Sequence, residues 1–162
     1  MAKANKAGAT TFTMPSDREI VITRVFAAPR RLIFEAWTNP EHLPHWMLGP
    51  GGWTMPVCEI DLRPGGAWHF GWRHSDGTEM EMRGVYQEIV PPERLVSTES
   101  WGGDWPETLN TLTLSEEDDK TTITNTVLYP SKEARDAALQ TGMKEGMSLS
   151  FDRLAEYLRN MT

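Results

Sequence analysis

Between Trp53 and Tyr129 the apolar residues recur every second position in six successive segments separated by turn residues, and on either side of this block the period lengthens to that of a helix. That change of period is the strongest constraint on the fold, because a two-residue repeat fits a half-buried strand and a 3.6-residue repeat fits an amphipathic helix. The segments WTMPVCEIDL, AWHFGWRH, TEMEMRGVYQEIV, RLVSTESW, TLNTLTLSE and TTITNTVLY are read as antiparallel strands. Gly65-Gly66, Asp76-Gly77, Pro91-Pro92 and the acidic run Glu116 to Lys120 supply turns between them. An earlier alternating stretch, EIVITRVFAA, is a first strand with Ile20, Ile22 and Arg24 on one side, which makes about seven strands in all.

Pro29 opens a helix whose apolar stripe is Leu32, Ile33, Ala36 and Trp37. Asn39-Pro40 ends it, and Pro40 to Trp46 suits one further short helix. After Pro130, Ser131 is the N-cap candidate of a long helix running to Leu158, about 40 Å at helical rise. Met143, Met147, Phe151, Leu154 and Leu158 fall on one face of it. Residues 1–18 are small, polar and aperiodic and read as a mobile arm, so residues 19–162 form a single domain. A chain of 162 residues with 39% apolar content is sized for one core.

Charge narrows the partners. Sixteen basic against 23 acidic residues give −7, which disfavours nucleic acid and anionic membrane surfaces. No stretch is apolar enough to insert in a membrane, and the amino-terminal sequence carries no apolar signal core, so a cytoplasmic location is expected. A lone cysteine, Cys58, fits a reducing compartment. The four histidines lack metal-ligand spacing; His42 and His45 read as residues of a solvated short helix, and neither metal nor cofactor is expected.

Seven tryptophans and nine methionines suit a wall that adapts to an irregular apolar partner. In DLRPGGAWHF the double glycine leads into a strand and not into a helix, so it is a hairpin and not a phosphate cradle. Asp61 and Arg63 pair beside that turn. Trp68, Phe70 and Trp72 then alternate onto one face, with Met80, Met82 and Tyr86 continuing it on the paired strand.

The order strand, two short helices, six antiparallel strands and long helix, together with CEIDLRPGGAWHF, Asp76-Gly77, MRGVYQEIVPPERLV and GMKEGMSLSFDRLAEYL, resembles the family similar to the activator of the heat-shock-protein-90 ATPase, within the START-like (SRPBCC) superfamily. The likeness covers roughly Arg18 to Asn160. It implies an α+β helix-grip fold in which a curved antiparallel sheet wraps around the C-terminal helix and encloses a cavity opened by the short helices. Trp37 and Trp46 would then approach the cavity from the short helices, and Met143, Met147 and Phe151 from the lid side. The family commonly has tryptophan where Met147 stands, which implies a deeper or more adaptable pocket here. Asn110 and Asn125, which share the inward parity of Leu112, Leu114, Ile123 and Val127, would be its polar groups. Glu99, with the parity of Leu95, Ser97 and Trp101, is the best candidate acid for catalysis, ahead of Asp61, which is set to pair with Arg63, and of Glu35, which a solvated helix face explains as well.

Three functions stay open on this reading. The first is binding of a small hydrophobic or aromatic molecule, as a carrier or sensor without catalysis. The second is a polyketide cyclase or hydrolase-like enzyme in the same cavity. The third is a chaperone-linked interaction module, in which a patch around Trp101 and Trp105 could serve a protein partner or a homodimer.

Overall fold

The structure, a computed structural model, describes residues 8–103 and 105–161. Among them are eight strands: β1 (Thr11–Thr13), β2 (Glu19–Phe26), β3 (Trp53–Ile60), β4 (Ala67–His74), β5 (Glu79–Val90), β6 (Arg94–Glu99), β7 (Thr108–Glu117) and β8 (Lys120–Leu128). They form one curved, open, antiparallel sheet in the order β1-β2-β8-β7-β6-β5-β4-β3. The helices are α1 (Arg30–Thr38), α2 (Lys132–Leu139) and α3 (Met143–Arg159), with a single 3₁₀ turn at Leu43–His45 after α1. This is the helix-grip arrangement.

Strand parity explains the concave face. In β2 the buried residues are Ile20, Ile22, Arg24 and Phe26, every second position, and in β8 they are Thr121, Ile123, Asn125 and Val127. The other faces of β2, β7 and β8 carry β-branched residues opposite one another, such as Thr111 against Thr126 and Thr113 against Thr124, pairs that suit a pleated surface. Phe151, Leu154 and Leu158 of α3 seal the first half of the sheet, and Phe151 meets Phe26 edge-on with ring centroids 6.0 Å apart. Arg24 is buried because it spans this junction: its guanidinium donates to Asp152 of α3 at 2.7 Å and to Thr10 at 3.0 Å.

Three expectations are corrected. The sheet has eight strands because Thr11–Thr13, assigned from sequence to the arm, pairs with Val21–Thr23 at the sheet edge; residues 1–7 of that arm lie outside the described residues. Three alternating residues are too short a run to register as a period. The single long helix is two, since Gly142 takes a left-handed conformation at φ 79° and the Thr141 hydroxyl donates to the Ala138 carbonyl, ending α2. Ser131 does cap α2, accepting from the Ala134 amide at 3.0 Å. Finally, His42 is half-buried against α3, its Nδ1 hydrogen-bonding the Tyr157 hydroxyl at 2.6 Å, whereas His45 is exposed, as expected, with its ring stacked on the Tyr157 ring at 5.2 Å.

The DLRPGG hairpin is clamped in place by the neighbouring strand. Gly65 N–H donates to the Tyr86 carbonyl at 2.7 Å, and Tyr86 N–H donates to the Gly66 carbonyl at 2.9 Å. Arg63 Nε donates to both carboxylate oxygens of Asp61, at 3.0 and 2.9 Å, the pairing that the sequence suggests. This anchoring sets the register in which Trp68, Phe70 and Trp72 all turn inward.

Gly146 lies within α3, where a methyl group would meet Pro50 Cδ at an ordinary 3.7 Å. Gly146→Ala is therefore expected to stabilise the fold by about 0.5–1 kcal/mol, a rise of about 1–4 °C in melting temperature by calorimetry, because alanine removes unfolded-state freedom without a clash.

Candidate functional site

Between the open half of the sheet, α2, the first half of α3 and the loop after the 3₁₀ turn lies a cavity of about 790 Å³. Its volume is that of a drug-sized ligand site. It exists because the sheet curves away from the helices where α3 changes from Phe151 and Leu154 to Met143 and Met147, and where the α2–α3 break lets α2 lie alongside with Ala134 and Ala138 facing it.

One wall is aromatic. Trp68, Phe70 and Trp72 are all buried and contact in series, with centroids 4.7 Å apart for Trp68–Phe70 and 6.0 Å for Phe70–Trp72. Trp72 is fixed by its indole N–H donating to the Met47 carbonyl at 2.8 Å, and Trp101 stacks on it at 5.6 Å with planes 19° apart. Met82 and Tyr86 are buried beside this wall, whereas Met80 is 40% exposed and reaches only the rim. Trp37 and Trp46 approach from the helix side, Trp46 donating to the Ala36 carbonyl at 3.0 Å.

The opposite wall is polar, and the register of β6, β7 and β8 makes it so. Ser97 faces Asn110 across one strand pair, Leu112 faces Asn125 across the next, and Glu99 faces Thr108. The Asn110 amide donates to Thr108 Oγ1 at 3.1 Å. Asn125 is buried and its amide has no hydrogen-bond partner among the described residues, so its polar atoms face the cavity.

Glu99 sits at the end of this wall. Its carboxylate accepts from the Trp101 indole N–H at 3.3 Å, and burial pushes its pKa up from 4.5 to about 7, only partly offset by that hydrogen bond. Burial raises the Tyr129 phenol to about 12, with the Glu99 charge adding to the shift, and holds the Tyr86 phenol above its ordinary range. Burial likewise pushes the Cys58 thiol up to about 11, leaving it a poor nucleophile.

The titration of Glu99 sets a pH window for stability. Below about 4.5 the carboxyl is protonated both folded and unfolded; between about 4.5 and about 7 it ionises in the unfolded chain first, so stability falls as pH rises, and above about 7 the loss is complete. Glu99→Gln is expected to match the parent near pH 4.5 and to exceed it at pH 8 by on the order of 2 kcal/mol, less than the full shift implies because the carboxyl opens onto the cavity. Thermal unfolding of both proteins across that range measures it.

The structure brings all but one of the residues singled out from sequence to this cavity. The exception is Phe151, fully buried in the core against Phe26, Trp37 and Trp46 where α3 rests directly on its neighbours. Trp53, Thr108 and Tyr129 line the cavity although the sequence reading did not name them as site residues. Tyr129 and Thr108 were readable, since they continue the parity of Val127 and Asn110 by one further step. Trp53 was not, because its placement depends on the loop that turns back after the 3₁₀ turn.

Residues 27–159 match the family described as Activator of Hsp90 ATPase homolog 1-like protein. The chain belongs to that family. Its fold is also that of solved structures, among them a Rhodobacter sphaeroides protein at 28% identity, covering 95% of this chain and 100% of that one with a TM-score of 0.88. A Mycobacterium smegmatis protein is 26% identical, covering 93% of this chain and 97% of that one with a TM-score of 0.82. An AHSA1-like protein of Aeromonas hydrophila shares the fold at 16% identity, covering 85% of this chain and 93% of that one with a TM-score of 0.69. A search of the curated proteins gave no match. Membership of the activator homolog 1-like family places the chain on a START-like scaffold of the ligand-binding kind. No helix among the described residues is long and apolar enough to cross a membrane.

Proposed function

We propose that this protein binds a small hydrophobic or aromatic molecule in the cavity between its sheet and C-terminal helix, as a cytoplasmic carrier or sensor. The supporting observation is the cavity itself: about 790 Å³, walled by Trp68, Phe70 and Trp72 on one side and on the other by the Asn125 amide, which has no hydrogen-bond partner among the described residues. Apolar burial supplies the affinity and a few polar groups fix orientation. Native mass spectrometry of freshly purified protein is expected to show a co-purifying small molecule. After its removal, the neutral dye Nile red is expected to bind one to one and quench tryptophan emission; a protein that neither retains a molecule nor takes up the dye overturns the reading.

A second reading has one observation in its favour. Glu99, with its pKa near 7 and Tyr129 nearby, has the poise of a general acid or base for a cyclase or hydrolase-like reaction. Turnover of a bound molecule that disappears in Glu99→Gln would favour the enzyme, and tight binding without turnover the carrier.

A further inference from the structure

The charges on the cavity surface are all of one sign. Among the described residues its lining contains three carboxylates and no Lys, Arg or His. Two of the three stand at the rim and are already neutralised on the outer face of the sheet: Glu79 pairs with Arg73 at 2.9 Å, and Glu81 pairs with Arg83 at 2.8 Å and with His69 at 3.1 Å. Glu99 is the third. It is half-buried at the end of the polar wall, and the Trp101 indole at 3.3 Å is its one side-chain hydrogen-bond partner among the described residues.

A carboxylate withdrawn from water without a cation beside it is costly, and the faces of indole rings attract cations. Both features occur at the same end of the cavity, where Trp101 stacks on Trp72 and hydrogen-bonds Glu99. We propose that the ligand carries a protonated amine on an apolar, ring-containing body, with the amine seated on Glu99 among these indoles and the body lying along Trp68, Phe70 and Met147. The inference rests on the ligand-binding reading above and adds the charge of the ligand to it. An anion on the same skeleton would meet a like charge and no basic group, and the net charge of −7 would add to its exclusion. A neutral analogue would gain the apolar burial alone.

Protonation of Glu99 gives the preference a pH signature. The titratable groups of the lining around it are Tyr129, from the residue after β8, and Tyr86, from β5; β4, β7, α2 and α3 contribute none, and Glu79 and Glu81 are held in their rim pairs. Both phenols stay neutral well above pH 8. Amine binding therefore follows the Glu99 carboxyl alone and weakens as pH falls through about 7.

The test uses three probes with one skeleton, 2-(1-naphthyl)ethylamine, 2-(1-naphthyl)ethanol and 1-naphthaleneacetic acid, titrated calorimetrically into ligand-free protein at pH 8. The amine is expected to bind at least about tenfold more tightly than the alcohol, and the acid more weakly than either. Glu99→Gln is expected to remove the advantage of the amine over the alcohol when both are measured on that variant. In the unmodified protein, moving from pH 8 to pH 6 is expected to weaken the amine several-fold and leave the alcohol flat, a readout independent of whether the variant folds. An amine no tighter than the alcohol, or an advantage that survives Glu99→Gln or is flat with pH, overturns the charge assignment while binding of the alcohol and Nile red keeps the carrier reading. Failure of all three probes and of Nile red removes the carrier reading and this inference with it.

Discussion

Replacing Gly84 with alanine is expected to lower the melting temperature by about 6–12 °C, on the order of 3 kcal/mol. Gly84 lies opposite Trp68 in the β4–β5 ladder, in the middle of a strand where glycine is otherwise unfavourable. Its reason is close approach from two sides. A Cβ there would overlap the Thr98 carbonyl oxygen of β6 and stand 2.5 Å from the Trp68 ring. The ring could tilt, but the carbonyl belongs to the backbone of the adjacent strand, where the ladder is already irregular between Tyr86 and Glu88. For that reason Gly84→Ala combined with Trp68→Leu is expected to remain as unstable as the two single losses together, and full rescue by the smaller side chain would show that the indole alone sets the constraint. Nile red affinity serves as a second readout, since a displaced Trp68 ring has only the cavity to move into. The contrast with Gly146, where the same substitution meets open space and an ordinary contact, separates a glycine required by approach from one merely tolerated in a helix.

What the sequence made legible follows from which interactions are periodic. The strands from Trp53 to Leu128 were readable nearly to the residue because each buries one face, so that parity and turn chemistry agree. The same parity carried Asn110, Asn125 and Glu99 to the concave side, even though register between strands had to be inferred. Elements whose existence depends on a neighbour were not readable. Thr11–Thr13 is a strand because β2 offers it an edge, and no pattern of its own marks it. The break between α2 and α3 rests on Gly142 in a left-handed conformation, within a helical stripe whose period continues unbroken across it. Phe151 belongs to that stripe too, yet its neighbours Met147 and Ser150 line the cavity while it is fully packed; which part of a helical face touches a void is decided by the curvature of the sheet opposite. His42 looked solvated because Tyr157, whose hydroxyl it meets, lies more than a hundred residues further along the chain.

Met147→Trp is expected to weaken Nile red by about thirtyfold or more while leaving the melting temperature within a few degrees of the parent. Met147 is partly buried on the first half of α3, facing the cavity and the aromatic wall across it. A thioether there is flexible and leaves space; an indole is rigid and would extend toward Phe70 and Trp72. Stability changes little because the added ring enters a void instead of displacing packed atoms, which distinguishes this site from Phe151 one turn further on, where any enlargement meets Phe26, Trp37 and Trp46. Affinity falls because a ligand that needs the whole 790 Å³ loses both volume and the apolar contacts along α3. The loss should scale with size: single-ring probes such as benzylamine are expected to bind the variant nearly as well as the parent, since the Glu99 end of the cavity is untouched, while two-ring and larger probes are excluded. Equal loss for small and large probes would place the binding site away from α3, and unchanged Nile red affinity would mean that the dye does not occupy the space between the helix and the sheet.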